Sequence, residues 1–385
     1  MILSDLIAQA LIDANVKVIN YVPGYGGTAI YKALAQKTGK PGFISFHEEV
    51  AFTVSHGASL VGTRSALLCK THGIMKAANS LSDALQCGTT AGMVVIISED
   101  KGGTHSDTII DTKPFLDGIG MPNFWSSPEK IYDDIHRAYE LSETYRLPWG
   151  IILDADDINN NRPYIPRYAK PSPVYKRDIV QHVLCPLFNP YQRNVYDAKM
   201  KDQAWQSISR PFIPNIPEGT SENWKRAVEN YIPFFNVYKK FRGNIVTGET
   251  GISSQFCANP WHCIDMVTYM GGSIPLAMGA SLAGRKNVWA IMGDFSFISA
   301  GPLALLEAKL RDLPLKVVIL DNGKAVTTGG QEIASGALDL CLAPYRKQIV
   351  GEVNPHDPIE LERAFETMTR SNTLKILVVN YRDAD

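Results

Sequence analysis

Cysteine is scarce and scattered in this 385-residue chain. The six thiols, at positions 69, 87, 185, 257, 263 and 341, form no C-x-x-C pair. That argues against a metal cluster and against a disulfide scaffold, and makes a reducing cytoplasm the expected setting. An excess of one charge is also missing. With 38 basic and 39 acidic residues, nothing calls for a nucleic acid or an anionic membrane as partner. No apolar run reaches the roughly eighteen residues that span a bilayer. The opening "MILSDLIAQALIDANV" has no basic leader and carries Asp5 and Asp13 within its apolar stretch. It reads as an amphipathic helix with Leu3, Leu6, Ile7, Ala10 and Leu11 on one face, not as a signal peptide.

What the chain does have is alternation, and length enough for two or three domains with substantial cores. In the first 155 residues, "VKVINYV", "GFISF", "SALLCKT", "GMVVIISED" and "WGIILDAD" are short strand-like runs separated by segments of helical spacing such as 127–145. A second block from about 243 repeats the pattern with "GNIVTGET", "NVWAIMGD", "LKVVILDN" and "LKILVVNY". Each block predicts a parallel sheet with helices on both faces, an α/β class. Between them, prolines at 163, 166, 171, 173, 186, 190, 211, 214 and 217 predict an extended connection without regular helix. Thr220-Ser221 then opens "SENWKRAVENYI" as a capped helix. The expected layout is a first domain over 1–160, a Pro-rich arm over 161–220 and a second domain over 221–385.

"IMGDFSFISAG" (291–301) is the most informative stretch. An apolar strand ends at Gly293-Asp294, and a helix is expected near Pro302. The following strand ends at Asn322, ahead of Gly323 and Lys324. In a parallel sheet, neighbouring strand ends share one edge, so Asp294 and Asn322 can converge. A carboxylate, an amide oxygen and a nearby carbonyl make an oxygen-only set suited to Mg²⁺ and phosphate. Glycines and a helix start supply N–H donors beside it. Either motif alone is an ordinary turn at a strand end; the spacing, with an apolar strand before each, favours a site.

Near the other end of the chain, "FISFHEEVAFTVSHGAS" (43–59) puts Glu48 and Glu49 at a helix mouth. Acids in a first turn complement the helix dipole, so both could be structural. The H-E-x-x-H zinc pattern fails, because Ala51 stands where the second imidazole belongs. His56, a helical turn beyond Phe52, reads as a packed core histidine.

Gly293-Asp294…Asn322 resembles the diphosphate-binding signature of thiamine-diphosphate (ThDP) enzymes. "MGGSIPLAMGAS" (270–281) is similar to the family's segment that buttresses the bent cofactor, and "GETG" (248–251) to the preceding strand-end loop. The resemblance implies two ThDP-binding domains, one for the pyrimidine and one for the diphosphate. It implies that Asp294, Asn322 and the Lys324 carbonyl ligate Mg²⁺, with Thr250, Gly251, Gly293, Phe295 and Ser296 around the diphosphate. Met270 would be the apolar wedge under the thiazolium, and the Thr268 carbonyl and Met270 N–H would hold the pyrimidine. Phe295 departs from the small residue usual there. "HEEVA" then places Glu48 as the family's catalytic glutamate, and Glu49 faces elsewhere. The family's paired domains usually come from different subunits, which implies a homodimer or tetramer with inter-subunit active sites.

"HEEVAFTVSHGASLVGTRSALLCKTHG", "AYELSETYRLP", "VPGYGGTAI" and "ILDNGKAVTTGGQ" are similar to the catalytic subunit of indolepyruvate:ferredoxin oxidoreductase. By that resemblance Tyr25, His72, His105 and Thr328 lie near the reacting carbon. The aspartate and glutamate that simple pyruvate-type decarboxylases carry at the positions of Tyr25 and Thr328 are missing. Lys70 and Lys101 flank the same region, where a solvent-facing lysine or the holder of an acidic substrate tail would both be at home. The oxidoreductases need cysteine ligands for iron–sulfur clusters. Here their Cys-Pro-x-Cys-Pro run is "RPFIPNIPEGT", with Ile213 and Ile216 at the cysteine positions, and a ferredoxin-like extension after the last predicted strand, which lies just before Asp385, is not expected. A non-oxidative decarboxylase or carboligase acting on a small 2-oxo acid is therefore expected. An oxidoreductase subunit needing a partner chain, and a non-catalytic interaction protein on this scaffold, are the alternatives.

Overall fold

The computed structural model describes residues 1–382; residues 383–385, the end of the second expected domain, lie outside the described residues. The chain divides into two compact units, the first made of 1–176 with 199–202 and the second of 177–198 with 203–385.

In the first unit the elements run α1 (Leu3–Asp13), β1 (Val18–Tyr21), α2 (Gly27–Thr38), α3 (Glu48–Leu60), β2 (Ser65–Lys70), α4 (Thr71–Lys76), α5 (Ala78–Cys87), β3 (Met93–Glu99), α6 (Thr112–Ile119), β4 (Asn123–Trp125), α7 (Ile131–Tyr145) and β5 (Trp149–Asp154). The strands pair in parallel in the order β1-β2-β3-β5-β4. All seven residues of β3 are buried, as befits β-branched side chains in a central strand covered on both faces. The predicted face of α1 is buried through Leu3, Leu6, Ile7, Ala10 and Leu11, each large side chain contributing about 1.5–3 kcal/mol. "GFISF" forms no strand. Only Ile44 makes a bridge, to Tyr21, because Gly39, Pro41 and Gly42 interrupt the run before a ladder can extend.

The second unit continues with α8 (Ile179–His182), α9 (Asn189–Met200), α10 (Glu222–Tyr238), β6 (Ile245–Glu249), β7 (Met266–Thr268), α11 (Ser273–Leu282), β8 (Val288–Gly293), α12 (Asp294–Leu310), β9 (Lys316–Asp321), β10 (Lys324–Ala325), β11 (Gln331–Glu332), α13 (Ala337–Leu342), β12 (Ile349–Val353), α14 (Pro358–Arg370) and β13 (Lys375–Asn380). Its six-stranded sheet is parallel in the order β12-β13-β9-β8-β6-β7. The aromatic side chains Phe234, Phe235, Tyr238, Phe256, Trp289 and Phe365 pack its core.

The expectation of a helix-free arm fails over 179–200. Pro190 sits in the first turn of α9, where its missing N–H costs nothing, and twenty residues without proline separate it from Pro211. Ile179, Val183 and Phe188 are buried in the second unit's core. Ser221 does precede α10, but its side chain makes no capping bond. Among the described residues, no helix is long and apolar enough to cross a membrane.

Candidate active site

In the second unit, β6 has β7 on one side and β8 on the other, so the chain's path across the sheet reverses at β6. Sheets of this kind bind ligands at such a switch point, outside the carboxyl ends of the strands. There, β8 runs directly into α12 with Gly293 as N-cap. The helix thus begins at Asp294, not near Pro302. An interior proline costs about 3 kcal/mol, and burial of Phe297, Ala304, Leu305 and Ala308 against the sheet offsets it.

Asp294 is 1% exposed. Its Oδ1 accepts the Phe295 N–H at 2.8 Å and its Oδ2 the Gly323 N–H at 2.7 Å. Gly323 follows Asn322, so the carboxylate meets the turn that carries the amide. Asn322 Oδ1 accepts the Lys324 N–H at 2.9 Å, and its Nδ2 donates to the Tyr231 hydroxyl at 3.1 Å. Tyr231, buried on α10, thereby fixes which way the amide faces. Burial pushes the Asp294 carboxyl up, and the neighbouring Asp321 carboxyl pushes it further. Arg382 binds Asp321 through Nε at 2.9 and 3.0 Å. A cleft of about 820 Å³ opens beside the turn, lined by Arg226, Tyr231, Asn322, Lys324, Glu332 and Arg382 among others.

Glu249, at the end of β6, is 3% exposed and accepts the Gly293 N–H at 2.8 Å and the Gly271 N–H at 2.9 Å. Burial pushes its carboxyl up to about 7 even though these bonds and one from Ser296 oppose the shift. Thr250 N donates to the Thr268 carbonyl at 3.0 Å. Gly251, at φ 141°, has open space where a Cβ would project. Met270 is 41% exposed at the head of the turn, beside Gly271 at φ 95°. A Cβ on Gly271 would meet the Ala300 Cβ at 2.5 Å, so only glycine lets this turn lie against α12. Phe295 is exposed. Thr328 lies exposed in the tip between β10 and β11, its Oγ1 donating to the Ala325 carbonyl at 3.2 Å.

In the first unit, His47 is the N-cap position of α3 and Glu48 its first residue. The Glu48 side chain lies against Gly73 of α4, where a Cβ would come within 2.8 Å of its Cγ. One Glu48 oxygen pairs with Lys76 Nζ at 3.3 Å. Glu49 turns the other way and accepts Asn79 Nδ2 at 3.2 Å.

The polar candidates follow the carboxyl ends of β1, β2 and β3. Tyr25 stacks on His105 with ring centroids 3.7 Å apart and donates to Asp156 Oδ1 at 3.2 Å. Partial burial raises its hydroxyl, and Asp156 adds to this. His105 sits exposed in a loop pinned by its own N–H to Asp100 Oδ2 at 2.8 Å. His72 Nε2 bonds Thr108 Oγ1 at 2.7 Å, while its buried Nδ1 has no hydrogen-bond partner. Lys70 is not simply solvated: Nζ donates to Ser106 Oγ at 2.8 Å. Lys101 lies over the Trp125 ring at 3.8 Å. His56 is buried against the Gly88 carbonyl at 2.8 Å.

Residues 247–375 match the family model of the thiamine pyrophosphate enzyme C-terminal TPP-binding domain. The indolepyruvate oxidoreductase subunit IorA of Methanothermobacter marburgensis is 29% identical over 149 residues, 38% of this chain and 24% of that protein. The chain therefore matches about a quarter of its curated relative's length. Among solved structures, a protein described as a thiamin diphosphate-dependent enzyme from Mycobacterium smegmatis superposes with TM-score 0.68 at 13% identity, covering 98% of this chain and 99% of that one. Benzoylformate decarboxylase from Polynucleobacter necessarius gives 0.67 at 12%, covering 98% of each.

Residues 247–375 are thus similar to a thiamine pyrophosphate enzyme C-terminal domain, and the chain as a whole shares the fold of thiamin diphosphate-dependent enzymes. Each of its units has the parallel α/β form expected of the two ThDP-binding domains. Thiamine diphosphate is the cofactor that the C-terminal domain supports. The residues present suit it. Among the described residues Thr268 Oγ1 is buried without a hydrogen-bond partner, and Gly251 has open space where a Cβ would project. Among the described residues no three His, Cys, Asp or Glu side chains cluster as a metal site; the Asp294 carboxylate, the Asn322 amide and the turn backbone offer oxygens of the hard kind that suits Mg²⁺, while the neighbouring Asp321 carboxylate is taken by Arg382.

Two residues at these strand ends escape the sequence reading. Glu249 lies inside the quoted "GETG", where the resemblance directed attention to Thr250 and Gly251. Tyr231 comes from a helix about ninety positions upstream of Asn322 and leaves no local signal.

Glu49 also has an electrostatic neighbour. Burial, with the Glu49 carboxylate next, pushes the Asp83 carboxyl up to about 7. A raised folded pKa favours the fold when the group is protonated; that contribution is complete below about 4 and is lost as pH rises through about 7. Asp83→Asn keeps the group neutral throughout. Thermal melts should therefore show the variant close to wild type at pH 4 and about 4 °C or more above it at pH 8. Melting curves that stay parallel across that range would refute the assignment.

Proposed function

We propose that this protein is a ThDP- and Mg²⁺-dependent carboxy-lyase acting on a small 2-oxo acid, with carboligation as the alternative fate of the same substrate, and that it works as a homodimer. The observation that carries the reading is the Asp294–Gly323 contact, which joins the two halves of the diphosphate signature at one strand edge. In this reading Asp294, Asn322 Oδ1 and the Lys324 carbonyl hold Mg²⁺. The helix start at Gly293, Phe295 and Ser296, with Thr250 and Gly251, would seat the diphosphate, where the dipole favours an anion; the Gly293, Phe295 and Thr250 N–H groups themselves are held by Glu249, Asp294 and the Thr268 carbonyl. Met270 offers the apolar surface beneath the rings, and the Thr268 carbonyl and Met270 N–H orient the pyrimidine. When bound, thiamine diphosphate supplies the electron sink that lets a 2-oxo acid lose CO₂.

Glu48 is the proton-holding group. Its carboxylate pairs with Lys76 and is seated against Gly73, and with the cofactor bound it would serve the pyrimidine ring nitrogen as acid and base; such help is typically worth about 10²–10⁴ in rate. Tyr25, His72, His105 and Thr328 supply polar groups for the substrate. The inter-subunit arrangement, with Glu48 of one copy serving the cofactor on Asp294 of the other, draws support from α12. Phe295, Leu303, Leu306 and Leu310 form one exposed apolar stripe on that helix, and such a stripe marks an interaction face.

A second reading, a 2-oxo-acid oxidoreductase subunit working with ferredoxin, coenzyme A and a partner chain, is favoured by the similarity to IorA. Against it, Ile216 is 3% exposed in the second unit's core with Ile213 packed against it, and neither can ligate iron.

Purified protein with ThDP and Mg²⁺, but no coenzyme A or electron acceptor, should release CO₂ from at least one of a panel of 2-oxo acids including indolepyruvate and benzoylformate. Release that begins only when coenzyme A, acceptor and partner are added would establish the second reading. Glu48→Gln should keep ThDP affinity within a few-fold and lower turnover by about 10² or more; full activity would remove Glu48 from the chemistry.

Asp294→Ala should abolish Mg²⁺-dependent ThDP binding in calorimetry, and an unchanged isotherm would refute the metal assignment. Leu306→Glu should shift the protein from dimer to monomer in light scattering; a variant still dimeric would move the interface off α12.

A further inference from the structure

The proposed site contains two corners that must be placed together. One is Met270–Gly271, which presents the apolar wedge; the other is Gly293–Asp294, which presents the metal-binding carboxylate. They follow different strands and are 23 residues apart in sequence. A single side chain touches both. Glu249 Oε2 accepts the Gly271 N–H at 2.9 Å and Oε1 accepts the Gly293 N–H at 2.8 Å. Ser296, in the first turn of α12, also hydrogen-bonds this carboxyl.

We infer that Glu249 is a positioning residue that holds the wedge and the metal-binding corner in one register, so that ThDP and Mg²⁺ meet a preassembled site. The claim rests on the ThDP reading above. Its chemistry is simple: only a carboxyl group with two acceptor faces can satisfy both N–H groups at once. Gly271 and Gly293 are each the amide adjoining the functional residue, so a shift at either bond moves Met270 or Asp294 directly. The tight seat of Gly271 on Ser296 and Ala300 adds a third contact between the same corners, because a Cβ there would lie 3.1 Å from the Ser296 carbonyl and 2.5 Å from the Ala300 Cβ. Glu249 makes its two bonds to the main chain of Gly271 and Gly293, not to the side chains of Met270 or Asp294. It acts through backbone.

The test is ThDP binding, measured by calorimetry in the presence of Mg²⁺, on wild type, Glu249→Gln, Met270→Ala and the double variant. In Glu249→Gln one face becomes an NH₂ group that confronts a backbone donor, so one of the two bonds is lost. ThDP affinity should fall about tenfold or more, consistent with losing a hydrogen bond to a charged group. The losses in the double variant should be less than the product of the single ones, because the Met270 corner is already displaced.

Glu249→Asp, one methylene too short to span both corners, should behave like Gln and serves if Gln fails to fold. Unchanged affinity in a folded Glu249 variant, or strictly multiplicative losses, would overturn the proposal. Failure of both variants to fold would also overturn it, by making Glu249 a fold-stabilising residue only. If wild type itself binds no ThDP, it is the proposed function that fails, and the two failures are told apart by that first isotherm.

Discussion

A carboxylate at a helix start in a protein interior is costly unless donors surround it, and the second unit is organised around meeting that requirement at Asp294. Its two oxygens take one N–H from its own helix and one from the turn after β9. The bonds fix where β8 stops, where α12 starts and how the Asn322 turn lies against both. They leave the group short of compensation, since burial and Asp321 still push it towards protonation. A site that holds an acid in this condition is suited to a cation, because a positive charge there removes a penalty that the protein's own donors do not fully meet. The same surroundings leave neighbouring backbone N–H groups and a helix N-terminus for an anion. On the proposed reading, cation and diphosphate belong to one electrostatic arrangement.

Parallel topology is what brings these groups to one edge. In the second unit, β6, β7, β8 and β9 end side by side, and each contributes the residues just past its last ladder pair: Thr250, Met270, Asp294 and Asn322. The first unit repeats the logic with other chemistry. Tyr25 follows β1, His72 follows β2, His105 follows β3 and Asp156 follows β5, and their side chains pair off across the strand ends. One fold type, used twice, gives an edge with a buried acid, an amide and a helix start in one case and an aromatic, imidazole-bearing edge in the other. The difference lies entirely in the residues set on the loops.

Legibility in the sequence followed the range of the interactions. The strands β2, β3, β5, β6, β8, β9 and β13 are readable because each is a short, mainly apolar and largely buried run. The short edge strands β4, β7 and β12 were not, since a few residues at an edge carry no such run. Asp294 and Asn322 stood out because a charged or amide residue ends an apolar strand beside glycine. Glu249 ends an apolar strand too, but its partners are backbone N–H groups of Gly271 and Gly293, which no pattern of side chains advertises. Tyr231 was hidden for a related reason: its contact with Asn322 is made across the core. Proline density misled over 189–200, because where a proline falls within a helix matters more than how many surround it.

The two adjacent acids at the mouth of α3 show how one helical step separates chemistry from cost. Successive residues on a helix point about 100° apart. Glu48 therefore falls on the side of α4, where Gly73 leaves room for a carboxylate and Lys76 neutralises it. Glu49 falls on the side of α5, near Asn79 and Asp83, where its charge burdens a buried acid instead of being relieved by a cation. If both acids were present only to complement the helix dipole, either could be expected to sit in solvent without a dedicated seat. Glu48 does not. A glycine at its contact point, in a short helix that begins immediately after β2, is the signature of a carboxylate whose position matters beyond the dipole. Glu49 has no such accommodation, and its neighbour Asp83 is the group that bears the electrostatic consequence.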